Sequence, residues 1–326
     1  MTKEDLKIIF FGTPDFAVES LKRLVEGGYN VVAVVTMPDK PAGRGRQLQP
    51  SDVKRYAVEQ GLPVLQPVSL KDEAFLEQLR AFDAQLFIVI AFRMLPQAVW
   101  QMPPLGTFNL HASLLPRYRG AAPINWAVMN GDTLTGVTTF FLKHEIDTGD
   151  VIQQRSCPIS RDDNVEAVHD RLMLMGADMV LETVDAIIAG TVHPIPQDQL
   201  ATAGQQPTPA PKIFKDTCRI DWSRPAEHLY NHIRGLSPYP AAWTMLVDEG
   251  GKESTTLKIY ATSEPIAFSG DESPTPGSIA SDQKTLRIAC ADGWLQILSL
   301  QQAGKKRMAT DAFLRGYTLT PAAHVQ

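Results

Sequence analysis

Short apolar runs alternate with helix-like segments along the first half of the chain, and this alternation constrains the fold more than any other feature. Runs rich in β-branched and aromatic residues occur at Lys7–Gly12, Asn30–Thr36 and Gln85–Phe92. Apolar residues at helical spacing lie between the first two, over Phe16–Glu26. Strands that are buried on both faces and joined by helices are typical of a doubly wound, mostly parallel α/β sheet.

The second half of the chain has a different texture. A stretch at 191–212, rich in Pro, Gln, Ala and Thr, is predicted to be a linker. Beyond it, alternating runs such as TTLKIYAT and TLRIACADGWLQILSL indicate the strands of a small barrel. The sequence therefore predicts a Rossmann-like domain over 1–190, the linker, and a C-terminal β-barrel (OB-like) domain over 213–326.

Composition excludes several classes of function. The 326 residues carry a net charge of −5, which gives no support to nucleic-acid binding through bulk charge. Three scattered cysteines, Cys157, Cys218 and Cys290, fit neither a disulfide framework nor a zinc site, so we expect no metal and a reducing, cytoplasmic setting. No apolar run reaches the length of a membrane span, and the start is typical of a first strand rather than a signal peptide.

A pair of polar residues on one predicted strand provides the first candidate site. Asn109 and His111 are two residues apart, so their side chains share one face of the strand over Thr107–Leu110. Asp147 follows in a predicted loop between two strands, where its carboxylate could meet the imidazole. An amide and an imidazole can stabilise a developing oxyanion, and a carboxylate can orient the imidazole. With no Ser or Cys in an elbow motif, the trio favours acyl transfer directly to a substrate.

These residues also carry a resemblance. The stretch NLHASLLPRYRGAAPINWAV at 109–128, followed by IDTGD, resembles the formyltransferases that use 10-formyltetrahydrofolate. FFGTPDFAVESL, TMPDKPAGRGRQLQPSDVK, RIDW and SLQQAGKKRM are similar to segments of the branch of this family that formylates methionyl-tRNA. The resemblance covers nearly the whole chain.

The resemblance implies an enzyme that transfers a formyl group from 10-formyltetrahydrofolate to the amino group of methionyl-initiator tRNA, giving N-formylmethionyl-tRNA for translation initiation. It implies that Asn109, His111 and Asp147 are catalytic. It implies folate contacts at Phe92, Met94, Ser113, Leu114, Leu115 and Pro116. It implies tRNA contacts at Lys40, Arg44, Arg46, Lys305, Lys306 and Arg307. No protein partner is indicated.

Besides Gln302, which stands where Pro is common, the chain departs from the family's pattern in two places. AFRMLP, at 91–96, is one residue shorter than the corresponding family run, and Arg93 stands where a small residue is usual. Glu145 and Ile146 precede Asp147 where the family often has Gly and an apolar residue. The first departure affects the expected shape of the folate pocket, and the second affects the approach to the Asp147 carboxylate.

Two other functions are compatible with parts of the sequence. A formyltransferase that acts on a small amine would need neither the basic loop at Met37–Pro50 nor the β domain. A non-catalytic RNA-binding protein with an OB-like domain would leave Asn109, His111 and Asp147 unexplained. Outside the resemblance, the basic loop is also compatible with a plain surface excursion.

Overall fold

The computed structural model describes residues 1–42, 47–200, 207–248, 253–270, 272–282 and 284–326. Contacts within the chain group these residues into two compact units. The first unit comprises 1–120, 135–158 and 169–210, and the second comprises 121–134, 159–168 and 211–326. No helix among the described residues is both long enough and apolar enough to cross a membrane.

The elements are numbered in chain order. Those up to residue 158 are β1 (Ile8–Gly12), α1 (Asp15–Glu26), β2 (Val31–Val35), β3 (Lys40–Ala42), β4 (Gln47–Gln49), α2 (Asp52–Glu59), β5 (Val64–Leu65), α3 (Glu73–Ala81), β6 (Leu86–Ile90), α4 (Gln97–Trp100), β7 (Thr107–His111), β8 (Arg119–Gly120), α5 (Pro123–Met129), β9 (Leu134–Phe141) and β10 (Val151–Pro158). The later ones are α6 (Val165–Ala189), α7 (Gln197–Leu200), β11 (Pro209–Ala210), a 3₁₀ turn (Asp216–Cys218), α8 (Ala226–Leu236), β12 (Ala242–Asp248), β13 (Glu253–Thr262), β14 (Ile266–Ala267), β15 (Ile279–Ser281), β16 (Leu286–Ala289), β17 (Gly293–Gln302), β18 (Met308–Ala309), α9 (Thr310–Gly316) and β19 (His324–Val325).

A seven-stranded sheet forms the centre of the first unit, in the order β10-β9-β7-β6-β1-β2-β5. Strands β5, β2, β1, β6 and β7 run parallel, and β9 runs antiparallel to β7. Every residue of β1 and β6 is buried, as continuous apolar sequences predict for central parallel strands. The predicted doubly wound, mostly parallel sheet is therefore confirmed.

Local sequence signals set the helix boundaries around this sheet. Ser51 caps α2 by accepting a hydrogen bond from the backbone N–H of Lys54, and Asp72 caps α3 in the same way through Ala74. Helix α1 ends at Gly27, and Gly28 then adopts a φ of +74°, which glycine tolerates. These caps fix the helices that cover the sheet.

The second unit is a nearly closed antiparallel barrel. Its main sheet has the order β15-β16-β17-β13-β12-β19. The two ends meet where the N–H of Val325 donates to the carbonyl of Gly277 at 2.9 Å and Ser278 bridges to His324. Helix α8 packs its buried face, including Leu229 and Ile233, into the apolar core of the barrel. The predicted C-terminal barrel is confirmed.

The division into units differs in detail from the sequence-based boundaries of 190 and 213. The boundary falls between Ala210 and Pro211, inside the predicted linker, and residues up to Ala210 group with the first unit. The segments 121–134 and 159–168 lie before residue 190 yet group with the barrel. The physical reason is hydrogen bonding to α8: Asn125 donates to the carbonyl of Gly235, and Arg234 donates to the carbonyl of Asp163.

Candidate active site

Strand β7 carries the first two candidate residues. It covers Thr107–His111, one residue longer than predicted, and pairs with β6 on one side and β9 on the other. Asn109 and His111 lie two residues apart and therefore share a face of the sheet. Asn109 is half-buried and His111 is 7% exposed, so both side chains are largely removed from bulk water.

The imidazole of His111 has a polar group facing each of its ring nitrogens. Its Nε2 lies 2.8 Å from the backbone carbonyl of Tyr118, and because a carbonyl can only accept, Nε2 carries the proton of that hydrogen bond. Its Nδ1 faces Oδ2 of Asp147 at 3.7 Å. The edge of the ring also approaches Phe140, with centroids 6.5 Å apart. The ring orientation is thus fixed before any substrate binds.

Asp147 reaches His111 through a loop that folds back along the sheet. Strand β9 ends beside the start of β7, where Phe141 pairs with Phe108, and the loop 142–150 then returns towards the end of β7. Asp147 has a left-handed φ of +54°, which is uncommon for a residue other than glycine. Its Oδ2 also accepts a hydrogen bond from the backbone N–H of Gly120 at 2.9 Å. The predicted meeting of imidazole and carboxylate is what the structure shows.

The segment Ser113–Pro116 is built as a rigid wall after β7. Thr138 donates its hydroxyl proton to the Ser113 carbonyl at 2.6 Å, and Gln154 donates to the Leu115 carbonyl at 2.8 Å. Ser113, Leu115 and Pro116 are buried, whereas Leu114 is half-buried against Gly136. Of the candidate folate residues here, Leu115 also packs into the core, so a contact with folate would come from the segment's surface.

The other two candidate folate residues follow β6, the parallel neighbour of β7. Phe92 is half-buried, with its ring centroid 5.8 Å from that of Phe11, and Met94 is 65% exposed. Parallel neighbours end at the same edge of a sheet, so Phe92 and Met94 emerge on the side where β7 ends. An exposed methionine beside a half-buried aromatic ring offers an apolar surface to a flat ligand.

Arg93, the departure from the family pattern, has a structural role. Its guanidinium donates to the carbonyls of Val68, at 2.8 Å, and Pro67, and so ties the end of β6 to the segment after β5. Partial burial lowers the pKa of this guanidinium. Ala91 just before it has a left-handed φ of +47°. The shorter run is therefore accommodated by a strained turn fixed through Arg93.

The structure also identifies residues that the sequence analysis missed. Thr138 and Gln154 hold the wall at 113–116, and Gln197 is buried inside the stretch interpreted as a linker. Their partners are backbone carbonyls far away in sequence, and a single sequence carries no signal of such pairs. A buried Gln in an otherwise polar stretch cannot be distinguished from an exposed one by composition.

The basic loop at Met37–Pro50 contains a short hairpin, in which β3 pairs antiparallel with β4. Its base is anchored by Asp39, which accepts from Lys54 at 2.7 Å and from Gln66 at 2.8 Å. These hydrogen bonds hold the pKa of Asp39 below its ordinary value. Of the candidate tRNA residues, Lys40 is exposed on β3. Arg44 and Arg46 lie outside the described residues.

The remaining candidate tRNA residues lie on the barrel. Lys305, Lys306 and Arg307 are exposed in the connection between β17 and β18. Arg307 places its guanidinium 4.4 Å from the centroid of the Tyr260 ring and donates from Nε to Ser299 at 3.0 Å. The arginine is thus held over an aromatic ring with its outer surface free for an anionic partner.

Arg307 belongs to a larger surface of alternating cations and aromatic rings. Trp243, Lys258 and Gln301 are cross-strand neighbours on β12, β13 and β17, so their side chains share one face of the sheet. Lys215 and Arg219 lie 5.5 Å and 5.8 Å from the centroid of the Trp243 ring. We define the aromatic–basic face as Lys215, Arg219, Trp243, Lys258, Tyr260 and Arg307.

Comparison with protein families matches both halves of the chain. Residues 6–184 match the model of the formyl transferase family, and residues 212–318 match that of the formyl transferase C-terminal domain. A methionyl-tRNA formyltransferase from Bacteroides fragilis is 62% identical over 99% of this chain and 98% of its own length. One from Porphyromonas gingivalis is 52% identical, with both chains fully covered.

Solved structures show the same fold at low sequence identity. WlaRD, a sugar 3N-formyl transferase, is 18% identical with a TM-score of 0.62, covering 92% of this chain and 99% of that one. HypX from Aquifex aeolicus, solved in complex with tetrahydrofolic acid, is 18% identical with a TM-score of 0.60. That match covers 94% of this chain, which spans about half the length of HypX. These likenesses concern the fold alone.

Proposed function

This chain belongs to the formyl transferase family in both of its domains, and from that premise we propose that it formylates the amino group of methionyl-tRNA. The formyl donor is 10-formyltetrahydrofolate. The acceptor is the charged initiator tRNA, and the product is the N-formylmethionyl-tRNA that starts translation in the cytoplasm. The observation that carries this proposal is the approach of Asp147 to His111, which lies on the same strand as Asn109.

Asn109 and His111 stabilise the reacting carbonyl. When the neutral methionyl amine forms its bond to the formyl carbon, negative charge develops on the formyl oxygen. The Asn109 amide donates to that oxygen. Because Nε2 of His111 donates to the Tyr118 carbonyl, the imidazole donates to the same oxygen through Nδ1 when that nitrogen carries a proton. Donors fixed in advance in a site with little water are worth far more than donors that must reorient, since they need no reorganisation during the reaction.

Asp147 assists the proton transfer that completes the reaction. Its carboxylate faces the imidazole of His111 and orders a water molecule beside it. The proton lost by the attacking amine passes through this water to the folate nitrogen as the carbon–nitrogen bond to that nitrogen breaks. Atoms and charges balance without a covalent enzyme intermediate, so catalysis consists of positioning and electrostatic stabilisation.

The two substrates bind to different parts of the chain. Folate lies against the segments that leave β6 and β7, with contacts from Phe92 and Met94 and from the wall at 113–116. The apolar surface of Met94 and the strained turn at Ala91 support this assignment. The first domain, over 1–190, is the catalytic one.

The acceptor tRNA is held by the basic hairpin and by the C-terminal domain over 213–326. Lys40, Arg44 and Arg46 contact the acceptor stem. Arg307 of the aromatic–basic face, together with Lys305 and Lys306 beside it, contacts the phosphate backbone. Cations held over aromatic rings suit both phosphates and unstacked bases, which supports this assignment.

One assay tests the proposed function against its competitors. The protein is incubated with 10-formyltetrahydrofolate and, in separate reactions, with methionyl-tRNA, free methionine or a nucleotide-linked amino sugar, and formyl transfer is followed. We expect transfer to methionyl-tRNA and none above background to the other two. Preference for the amino sugar would replace the proposal with a small-amine formyltransferase. Binding of tRNA without any transfer would replace it with an RNA-binding protein.

A further inference from the structure

The described first part of the stretch predicted to be a linker, up to Leu200, contacts the loop that bears Asp147. Ile195 pairs with Val151, the first residue of β10, through two backbone hydrogen bonds of 2.8 Å. Helix α7 begins two residues later at Gln197, whose side chain is buried with 4% of the residue exposed. Its neighbours Asp198 and Gln199 are exposed. One polar residue of this stretch is therefore placed inside the protein.

Both ends of the Gln197 carboxamide are used. Its Nε2 donates to the backbone carbonyls of Asp147 and Gly149, each at 2.9 Å. Its Oε1 accepts from Nη2 of Arg119 at 2.7 Å and from Nε at 3.1 Å. A single buried amide thus links the loop that bears Asp147 to the strand β8 that bears Arg119.

The same two segments meet again at the catalytic carboxylate. Gly120, next to Arg119, donates its N–H to Oδ2 of Asp147. Strand β11, which follows α7, pairs with β8, and a side chain at Gly120 would collide with the carbonyl of Ala210. Gln197 therefore holds the backbone carbonyl of Asp147, and Gly120 holds its carboxylate.

The loop needs such an anchor because the rest of it faces solvent. Lys143, His144, Glu145 and Ile146 are all exposed, whereas Gly149 is buried with no room for a side chain beside the carbonyl of Phe141. Asp147 lies between these regions in a left-handed conformation that L-residues adopt at an energetic cost. Hydrogen bonds on either side of this residue hold the conformation in place.

We infer that Gln197 is a positioning residue for the reaction: it sets the backbone of Asp147, and through it the distance between the carboxylate and His111. This inference rests on the proposed formyl transfer. Gln197 acts on the proton-handling group alone, so it affects turnover and leaves the binding of either substrate unchanged. A misplacement of about 1 Å in a catalytic group costs up to about 100-fold in rate.

The first test exchanges the amide for a carboxylate of the same size. Gln197→Glu retains the contact with Arg119 but cannot donate to two carbonyl oxygens. We expect kcat for methionyl-tRNA to fall about 10- to 100-fold, with KM for either substrate within about twofold of the parent. Gln199→Glu makes the same charge change two residues away on the exposed side of α7 and is the matched control. We expect the control to retain parental kcat.

The second test asks whether Gln197 acts through Asp147. In single-turnover reactions, Gln197→Glu is compared in the parent and in an Asp147→Asn variant. If the glutamine positions the carboxylate, its replacement has little further effect once the carboxylate is gone. We expect a further loss below about twofold in the Asp147→Asn background. A loss of equal size in both backgrounds would show a general structural role and overturn the inference.

The remaining outcomes are separable. Equal kcat for Gln197→Glu and Gln199→Glu would overturn the inference while leaving the proposed function intact. A parent enzyme that fails to formylate methionyl-tRNA would instead remove the proposed function. If Gln197→Glu does not fold, as judged by circular dichroism, Arg119→Met is used in its place. This variant removes the half-buried guanidinium that donates to Oε1 of Gln197. We then expect a loss in kcat of about 3- to 10-fold, again absent in the Asp147→Asn background, and a persisting loss there would overturn the inference.

Discussion

The candidate active site and the aromatic–basic face use polar groups in opposite ways. In the first, His111 and Gln197 are buried, and each polar side-chain atom faces a backbone carbonyl or a charged side chain. In the second, Lys215 and Arg219 are exposed and lie over the half-buried ring of Trp243. The candidate active site presents a few buried donors and acceptors at set positions. The aromatic–basic face presents an exposed surface of cations and aromatic rings.

This difference indicates how each region should respond to change. A site built from buried donors depends on individual atoms and is screened little by salt, because water and ions are excluded from it. An exposed cationic surface gains binding from several modest contacts and loses it as salt increases. Of the four predictions below, three test this contrast and one concerns the acid stability of the barrel; they run from the largest expected effect to the smallest.

Removing a donor from the active site should have the largest effect. We expect Asn109→Ala and His111→Ala each to lower kcat by about 100-fold or more, the scale of losing one oxyanion donor. The loss should be the same at low and at high salt. Turnover is measured at saturating levels of both substrates. Asn30→Ala, which removes an amide from the same unit, is the control, and near-parental turnover of a folded Asn109→Ala protein would contradict the assigned role.

Acid should destabilise the barrel through one buried histidine. His232 on α8 is 8% exposed, and burial, together with the neighbouring His228, lowers its pKa to about 4 from an ordinary value of 6.5. Below pH 6.5 the unfolded chain takes up this proton before the folded one does. Stability should therefore fall as the pH drops from about 6.5 to about 4, by roughly 3 kcal/mol in total.

The variant His232→Gln tests this assignment. It removes the titrating group, so urea unfolding of the barrel should lose about that much of its dependence on pH between 7 and 4. His324→Gln, an exposed histidine in the same unit, should keep the parental dependence. An unchanged pH dependence in His232→Gln would show that another group controls acid stability.

Removing the central ring of the aromatic–basic face should have an intermediate effect. We expect Trp243→Ala to lower kcat/KM for methionyl-tRNA by about 5- to 100-fold, since stacking on an aromatic ring is worth roughly 1–3 kcal/mol per base. Folate affinity should not change. Trp243→Phe keeps an aromatic ring between Lys215 and Arg219 and should retain most of the activity. Equal activity in the alanine and phenylalanine variants would argue against stacking.

Removing one exposed cation should have the smallest effect. We expect Arg307→Ala to lower kcat/KM for methionyl-tRNA by about fivefold, as for one cation over an aromatic ring with one phosphate partner. The dependence of log kcat/KM on log salt should become shallower by about 1. Lys306→Ala removes the same charge without a stacked ring and serves as the comparison. A salt dependence that stays unchanged in both variants would remove this connection from the tRNA surface.

The sequence was sufficient where local signals agree with the fold. Continuous apolar runs at β1 and β6 predicted buried parallel strands, and the spacing of Asn109 and His111 predicted a shared face. The resemblance carried by the segment after Asn109 predicted the family, which the comparisons confirm. The roles of individual folate and tRNA residues stay predictions, because no ligand contact tests them.

The sequence was insufficient where function depends on contacts between distant segments. The stretch at 191–212 has a linker composition, yet its residues up to Ala210 belong to the first unit, and Gln197 holds the loop of Asp147. Composition reports the average polarity of a segment, and it does not show which single side chain turns inward. Likewise, α5 groups with the barrel through a hydrogen bond to α8 and through Met129 in the barrel's core, which no local pattern indicates.

By itself, the sequence predicted the main strands and helices of the parallel sheet, a C-terminal barrel and the chemical types of the reacting groups. These follow from periodicity, caps and residue chemistry, which act over a few residues. Only the tertiary structure decided how the loop after β9 returns so that Asp147 faces His111, and which segments hold it there. Those arrangements depend on hydrogen bonds between a side chain and a backbone group far away in the chain. Because every residue has the same backbone groups, the sequence does not identify the partner.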